Sequence, residues 1–195
     1  EELACRSEFK LLRSLNALTH EDISVKSVRR QSSDFSARFS CTMREYKYFI
    51  CTDAYKPLLM KGFCWHIPKE LDLEAMRAAA AYLIGEHDFK SFCMAASAEG
   101  KSTMRNVFSI DVSREDAWGE NLVVITVKGN AFLHSMVRTI VGTLVAVGLG
   151  RRRPEWNAEV REARNRAAAG ENAPAQGLVF WNVSYEGERV HNPLK

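Results

Sequence analysis

The part of this 195-residue chain that allows the fewest arrangements is GNAFLHSMVRTIVGTLVAVGLG, residues 129–150. It is almost wholly apolar or small, yet Arg138 sits near its middle. A central arginine costs a membrane span about 2.5–3.5 kcal/mol even on a lenient insertion scale. With His134 and the glycines at 129, 142, 148 and 150 added, the stretch makes a poor span, and a buried helix of a soluble core fits it better. Phe132, Met136, Ile140, Leu144 and Val147 recur at steps of four and three, and Val137, Val141 and Val145 fill the neighbouring stripe. Such a helix is apolar most of the way round, and an unpaired desolvated guanidinium on it is costly. Two readings of Arg138 follow. One is a salt bridge at the edge of the core, or a head group that snorkels out. The other is a bidentate clamp that orients an acid and lowers its pKa.

Length and a hydrophobic content of 46% support one substantial core, hence a single domain over residues 1–195. The formal net charge of +3 does not by itself announce a nucleic-acid binder, but it is unevenly spread. Between residues 128 and 166, eight basic side chains (Lys128, Arg138, Arg151, Arg152, Arg153, Arg161, Arg164, Arg166) face only Glu155, Glu159 and Glu162. A polyanionic partner would meet a basic face there. The cysteines, Cys5, Cys41, Cys51, Cys64 and Cys93, are odd in number and never in a C-x-x-C spacing. That argues for reduced thiols in the cytoplasm and against a disulfide framework or a zinc site. The chain opens at EELACRSEF without a methionine, on the approach to a helix, and is expected to be a piece of a longer protein.

Pattern and punctuation predict helices at 7–18, at 72–88 with Asp72 as cap, within 129–150, and after Pro154. Strands are expected at 22–31, 42–53, 103–115, 120–130 and 178–187, the third and fourth forming a hairpin around DAWG. Tyr46, Tyr48 and Ile50 belong to one face of the second strand, and Lys47, Phe49 and Cys51 to the other. Helices lie between groups of strands without strict alternation, which indicates an α+β fold with a largely antiparallel sheet backed by helices.

Three further segments carry possible chemistry. RFSCTMREYKYF sets Arg38, Arg44 and Lys47 beside Tyr46, Tyr48 and Phe49, the mixture by which proteins hold unstacked bases and their phosphates. The same pattern also suits a strand with core tyrosines and solvated bases. HDFKSFC holds His87, Asp88 and Cys93 but suggests no triad; a helix end and a turn with core Phe89 and Phe92 explains it. GRRRP, with Arg151, Arg152 and Arg153, is either a solvated turn or a surface that tracks phosphates. No Gly-rich phosphate loop, metal-ligand spacing or nucleophile elbow supports a small-molecule enzyme.

In their order and separations, LNAL with DISV, DFSARFSCTMREYKY, HDFKSFC with KSTMRNV, GNAFLHSMVRTIVGTLVAVGLG and APAQGL resemble the successive motifs of the tRNA pseudouridine synthase A family. The resemblance covers nearly the whole chain. It implies a mixed, mainly antiparallel sheet flanked by helices, as in the pseudouridine synthase fold, and isomerisation of uridine to pseudouridine at positions 38–40 of the tRNA anticodon stem-loop. It implies no cofactor and no metal, a cytoplasmic setting and a homodimer of the full-length protein. Arg138 matches the family's arginine that pairs with a catalytic aspartate, Tyr46 the tyrosine that stacks on the target base, and Leu178 a hydrophobic wall of the pocket. Arg38, Arg44, Lys47, Arg151, Arg152 and Arg153 are the candidates for RNA contact. The family's aspartate sits in an Arg-Thr-Asp-Ala-Gly-Val-His motif before the LNAL segment, and none of Asp22, Asp34, Asp53, Asp72, Asp88, Asp111 and Asp116 has that context. The chain is therefore expected to be an inactive fragment of the enzyme; the alternative is a non-catalytic RNA-binding domain with the same fold.

Overall fold

The register of one long strand decides which side chains meet. In the computed structural model, which describes residues 7–94, 99–186 and 188–189, β1 (Cys41–Cys51) lies at the centre of a seven-stranded sheet. On one side it pairs antiparallel with β5 (Glu120–Gly129), which continues the hairpin from β4 (Met104–Ala117) and then β3 (Gly85–Asp88). On the other side it pairs antiparallel with β6 (Leu178–Tyr185), followed by β7 (Glu188–Arg189). The two-residue β2 (Trp65–His66) runs parallel to the end of β1, so the sheet is mixed but mainly antiparallel, the expected α+β class. Trp118 and Gly119 turn the β4–β5 hairpin, both with positive φ (54° and 83°), the pattern whose twist matches the flanking strands.

The predicted alternation along β1 holds. Tyr48 and Ile50 join the main core, formed with α2 (Leu73–Ala81), α3 (Met136–Gly148) and strand residues such as Val112, Ile125 and Val127. Asp72 caps α2, its Oδ1 accepting the Ala75 amide at 2.9 Å. α3 buries eleven of its thirteen residues, and α4 (Trp156–Ala163) docks through Val160 and through Asn157, whose amide donates to the Ala79 carbonyl at 3.0 Å. On the other sheet face Phe49 and Cys51 cluster with Cys64, Leu122 and Val124. The loop that covers this cluster is clamped to the hairpin by Glu120, whose carboxylate accepts the amides of Leu58, Leu59 and Met60 at 2.6, 2.9 and 3.0 Å. Burial pushes Glu120 upward, but those three amides outweigh it and hold the carboxyl below its usual range.

The chain divides into two compact units at Ser40. In the first, α1 (Glu8–Leu18) starts at Ser7, whose hydroxyl accepts the Lys10 amide at 3.4 Å. The strand expected at 22–31 does not form. Asn16 occupies the place of a ladder partner: its Oδ1 accepts the Val25 amide at 2.8 Å and its Nδ2 donates to the Val25 carbonyl at 2.9 Å. The helix expected at 72–88 stops at Ala81, because Gly85 (φ 107°) turns the chain into β3, which pairs with β4. Phe89 and Phe92 are fully buried as expected, beyond a strand and a short 3-10 turn rather than a helix end. Cys5 and Gly187 lie outside the described residues.

Desolvation raises the Cys51 thiol and pushes Cys64 up to about 11 from an ordinary value near 9. Cys64 therefore favours the folded state below about pH 9, and that contribution is lost as pH rises toward about 11. Labelling with a thiol-specific disulfide at pH 8 is expected to modify the half-exposed Cys41 in the native protein, and Cys51, Cys64 and Cys93 only after unfolding. Native-state labelling of Cys64 at the rate of Cys41 would contradict this burial.

Candidate active site

Arg138 is the third residue of α3, where the helix emerges from a turn at Ser135 in the left-handed region (φ 63°, ψ 3°). It is half-buried, not enclosed as the apolar sequence suggested. Residues 170–177 run over the helix as a strap. Gly142 lets the strap touch the helix backbone: a Cβ there would stand 1.9 Å from the Glu171 carbonyl oxygen. Gly170 does the same from the strap, where a Cβ would come 2.8 Å from the Thr143 backbone. Polar bonds pin the contact, from the Thr139 hydroxyl to Asn172 Oδ1 (2.9 Å) and from the Gly170 amide to the Thr143 hydroxyl (3.0 Å).

At the head of the strap Arg138 and Ala173 clasp each other. The Ala173 amide donates to the Arg138 carbonyl at 3.2 Å, and the Arg138 Nε donates to the Ala173 carbonyl at 2.6 Å. One residue on, the Pro174 carbonyl accepts the Tyr48 hydroxyl at 2.7 Å, and Gly177 packs flat against the Tyr48 ring. The strap thus fixes two side chains from different elements. With Nε committed, the two Nη groups of Arg138 have no hydrogen-bond or ion-pair partner among the described residues.

Arg138 lines a pocket of about 520 Å³ together with Tyr46, Phe132, Leu133, His134, Ser135, Met136, Val137, Ala175 and Leu178. None of these carries a carboxylate, so the positive charge there, reinforced by the amino end of α3, is unbalanced by the lining. The Tyr46 ring meets Phe132 edge-on, centroids 5.2 Å apart, and Phe180 at a tilt, 5.1 Å apart. Burial raises both phenols, against the opposing charge of Arg44 at Tyr46 and of Arg138 at Tyr48; neither is a phenolate at neutral pH. A larger hollow, about 820 Å³, lies at the far end of α3, but its Arg77 and Arg114 are already paired with Glu74 and Glu70. No cluster of three His, Cys, Asp or Glu suited to a metal occurs among the described residues.

Three of the residues singled out in the sequence, Tyr46, Arg138 and Leu178, therefore share one pocket. Arg44 lies two residues before Tyr46, its Nη1 donating to the Asn130 carbonyl at 2.5 Å. Lys47 is not with them. Strand alternation puts it on the opposite sheet face, its Nζ 4.4 Å from the Trp181 ring centroid and 3.5 Å from Glu115. Arg38 belongs to the first unit, with its guanidinium 5.4 Å from the centroid of Phe39. Arg151, Arg152 and Arg153 are exposed just beyond the far end of α3, about 15 Å along the helix from Arg138 at 1.5 Å per residue. Arg152 stacks over Trp156 and Arg153 pairs with Glu159 at 2.6 Å. Sequence reasoning missed Phe132, Ser135 and Phe180, and it missed the Ala173 carbonyl; only the hydrophobic position after the APAQG turn pointed toward that end of the strap.

The fold and pocket define an α+β domain in which a guanidinium, an aromatic ring and an aliphatic wall converge beside a helix terminus. The family model described as tRNA pseudouridine synthase matches residues 79–186, more than half of the chain. Curated relatives include the tRNA pseudouridine synthase A of Bacillus subtilis (strain 168), 38% identical over 175 residues, which are 89% of this chain and 68% of the relative. That of Thermotoga sp. (strain RQ2) is 42% identical over 172 residues, covering 88% and 68%. That of Vibrio parahaemolyticus is 41% identical over 173 residues, covering 89% and 64%. The chain belongs to the tRNA pseudouridine synthase family, a family of isomerases.

Gly142→Ala is expected to force the strap off α3, since the clashing atom is backbone and cannot rotate away. Urea unfolding should show a loss of at least about 2 kcal/mol. An unchanged midpoint would mean that the strap is not seated on the helix as described.

Proposed function

We propose that this pocket receives a uridine flipped out of the tRNA anticodon stem-loop, at positions 38–40, for isomerisation to pseudouridine. The observation that carries the reading is the Arg138 fork, fixed at Nε and open at both Nη, in the same pocket as Tyr46 and Leu178. A planar, immobilised guanidinium of this kind matches a carboxylate in bidentate geometry and holds it ionised. The nucleophile is then an aspartate of the family's Arg-Thr-Asp-Ala-Gly-Val-His motif, which these 195 residues do not contain. The chain alone binds substrate and does not turn it over.

The chemistry follows from those roles. Extruding a paired base costs a few kcal/mol, which stacking on Tyr46, worth about 1–3 kcal/mol, and several phosphate contacts offset. Leu178 closes the pocket against water. The carboxylate attacks the ribose or the base and the N1–C1′ bond breaks. The base turns, and C5 bonds to C1′ as the carboxylate leaves. C5 loses its proton and N1 gains one, so atoms and electrons balance without an oxidant, a metal or a cofactor. Tyr46, kept neutral by burial, presents its ring rather than a charge. Arg44 would hold a phosphate near the loop, and Arg151, Arg152 and Arg153 those of the stem, because the triplet stands about a helix length from the pocket. Arg38, in the first unit, is proposed for RNA contact on the family resemblance alone. Lys47, on the far face of the sheet, has no part in this site. Reduced cysteines support a cytoplasmic setting, and a homodimer is proposed on the family resemblance.

Tritium release from tRNA carrying C5-labelled uridine tests the reading, run on this chain and on the full-length product of its gene. The full-length enzyme should release tritium and the chain should not. Arg138→Lys in the full-length enzyme should lower kcat at least about 100-fold, since a point charge cannot replace the fork. Turnover by the chain itself would place the nucleophile within residues 1–195 and remove this role for Arg138. Binding without turnover by both proteins would favour a non-catalytic RNA-binding domain, a reading consistent with the carboxylate-free lining.

A further inference from the structure

Phe180 is an exposed aromatic ring with no part in the mechanism above. The register Tyr46↔Phe180 on β1 and β6 puts it on the same sheet face as Tyr46, directly across the ladder. Between Phe180 and Asn182 the pairing slips, Glu45 facing Asn182, so Trp181 is the extra residue of a bulge. Its ring is directed to the opposite face, with Lys47 and Phe49. Bulges of this kind re-aim side chains beside functional sites. Here the bulge leaves Phe180 against the Tyr46 ring, yet 54% exposed. Leu178, a wall of the pocket, precedes it by one two-residue step of roughly 6.8 Å. A flat apolar surface therefore stands about one nucleotide away from the uridine pocket.

Its surroundings select the occupant. Arg44 is on the same face of β1 as Tyr46, and its guanidinium donates to the carbonyl of Asn130, two residues before Phe132 of the pocket lining. Glu45, the adjacent acid, faces away and pairs with Lys128 at 3.9 Å. An apolar protein partner would gain nothing from that cation, whereas a nucleotide matches both groups, its base on the ring and its phosphate on the guanidinium. Resting on the reading of the pocket given above, we infer that Phe180 and Arg44 form a second nucleotide subsite, which stacks the base next to the flipped uridine and holds the intervening phosphate. Stacking on a ring accepts any base, so the subsite would steady the opened loop without demanding a sequence.

The test uses the chain itself and a labelled anticodon stem-loop RNA with 2-aminopurine next to the target uridine. Phe180→Leu keeps the apolar volume without the flat face, and it should weaken binding about tenfold and relieve the quenching of 2-aminopurine. Phe180→Trp should restore both. Arg44→Gln should weaken binding and lower the slope of affinity against salt by about one ion. If Phe180→Leu binds and quenches like the unaltered chain while Tyr46→Ala loses affinity, the subsite is wrong and the uridine pocket stands. If the unaltered chain does not bind the stem-loop, both fall together.

Discussion

The clasp between Arg138 and Ala173 is the interaction on which the site depends. An arginine in so apolar a helix needs acceptors, and the helix supplies none, because its own carbonyls are spent on its ladder. The acceptor comes from a strap that reaches the helix only because Gly142 and Gly170 bring two backbones into contact. The same strap takes the Tyr48 hydroxyl at Pro174, so one short segment sets the guanidinium, locks a core tyrosine against β1 and carries on into the pocket wall at Leu178. The bond that fixes the guanidinium uses Nε, which removes the side-on pair and leaves the end-on pair of Nη groups for a carboxylate.

The rest of the basic stretch is largely spent on holding the fold. Arg161 donates to the Tyr82 carbonyl at 2.6 Å, Arg164 meets Asp88 at 3.2 Å, and Arg166 donates to the Gly170 carbonyl at 2.9 Å. Lys128 faces Glu45 across the ladder. A count of charges along the sequence therefore overstates the surface offered to a polyanion. The exposed triplet Arg151, Arg152 and Arg153 lies beyond α3, with Arg152 over Trp156 and Arg153 paired with Glu159.

Segments whose pattern served a single purpose were legible. β1 alternates because each face has its own core, and α3 is apolar all round because it is buried all round. Legibility failed where tertiary contacts overrode local pattern. Residues 22–31 alternate like a strand, yet the Asn16 amide satisfies the backbone that a neighbouring strand would have used. Gly85 ended a helix earlier than alanine content suggested, because β4 offered its edge to the residues that follow. Within the site, Tyr46, Arg138 and Leu178 were found through motif resemblance, and geometry then brought them to one pocket. Lys47 and Tyr46 are neighbours in sequence and opposed in space, as a period of two requires. Phe180 was illegible for a different reason: its place depends on a register and a bulge between strands more than a hundred residues apart.

The strap aims Arg138 by holding Nε and leaving both Nη groups open to a carboxylate. Side-chain NMR of the chain with nitrogen-15 arginine, titrated with acetate, measures this directly. The Arg138 Nε–H should be protected from exchange before any acetate is added, and acetate should slow exchange at the Nη groups without disturbing Nε. An Nε–H that exchanges as fast as those of the exposed Arg151 and Arg152, or that is protected only when acetate binds, would contradict it.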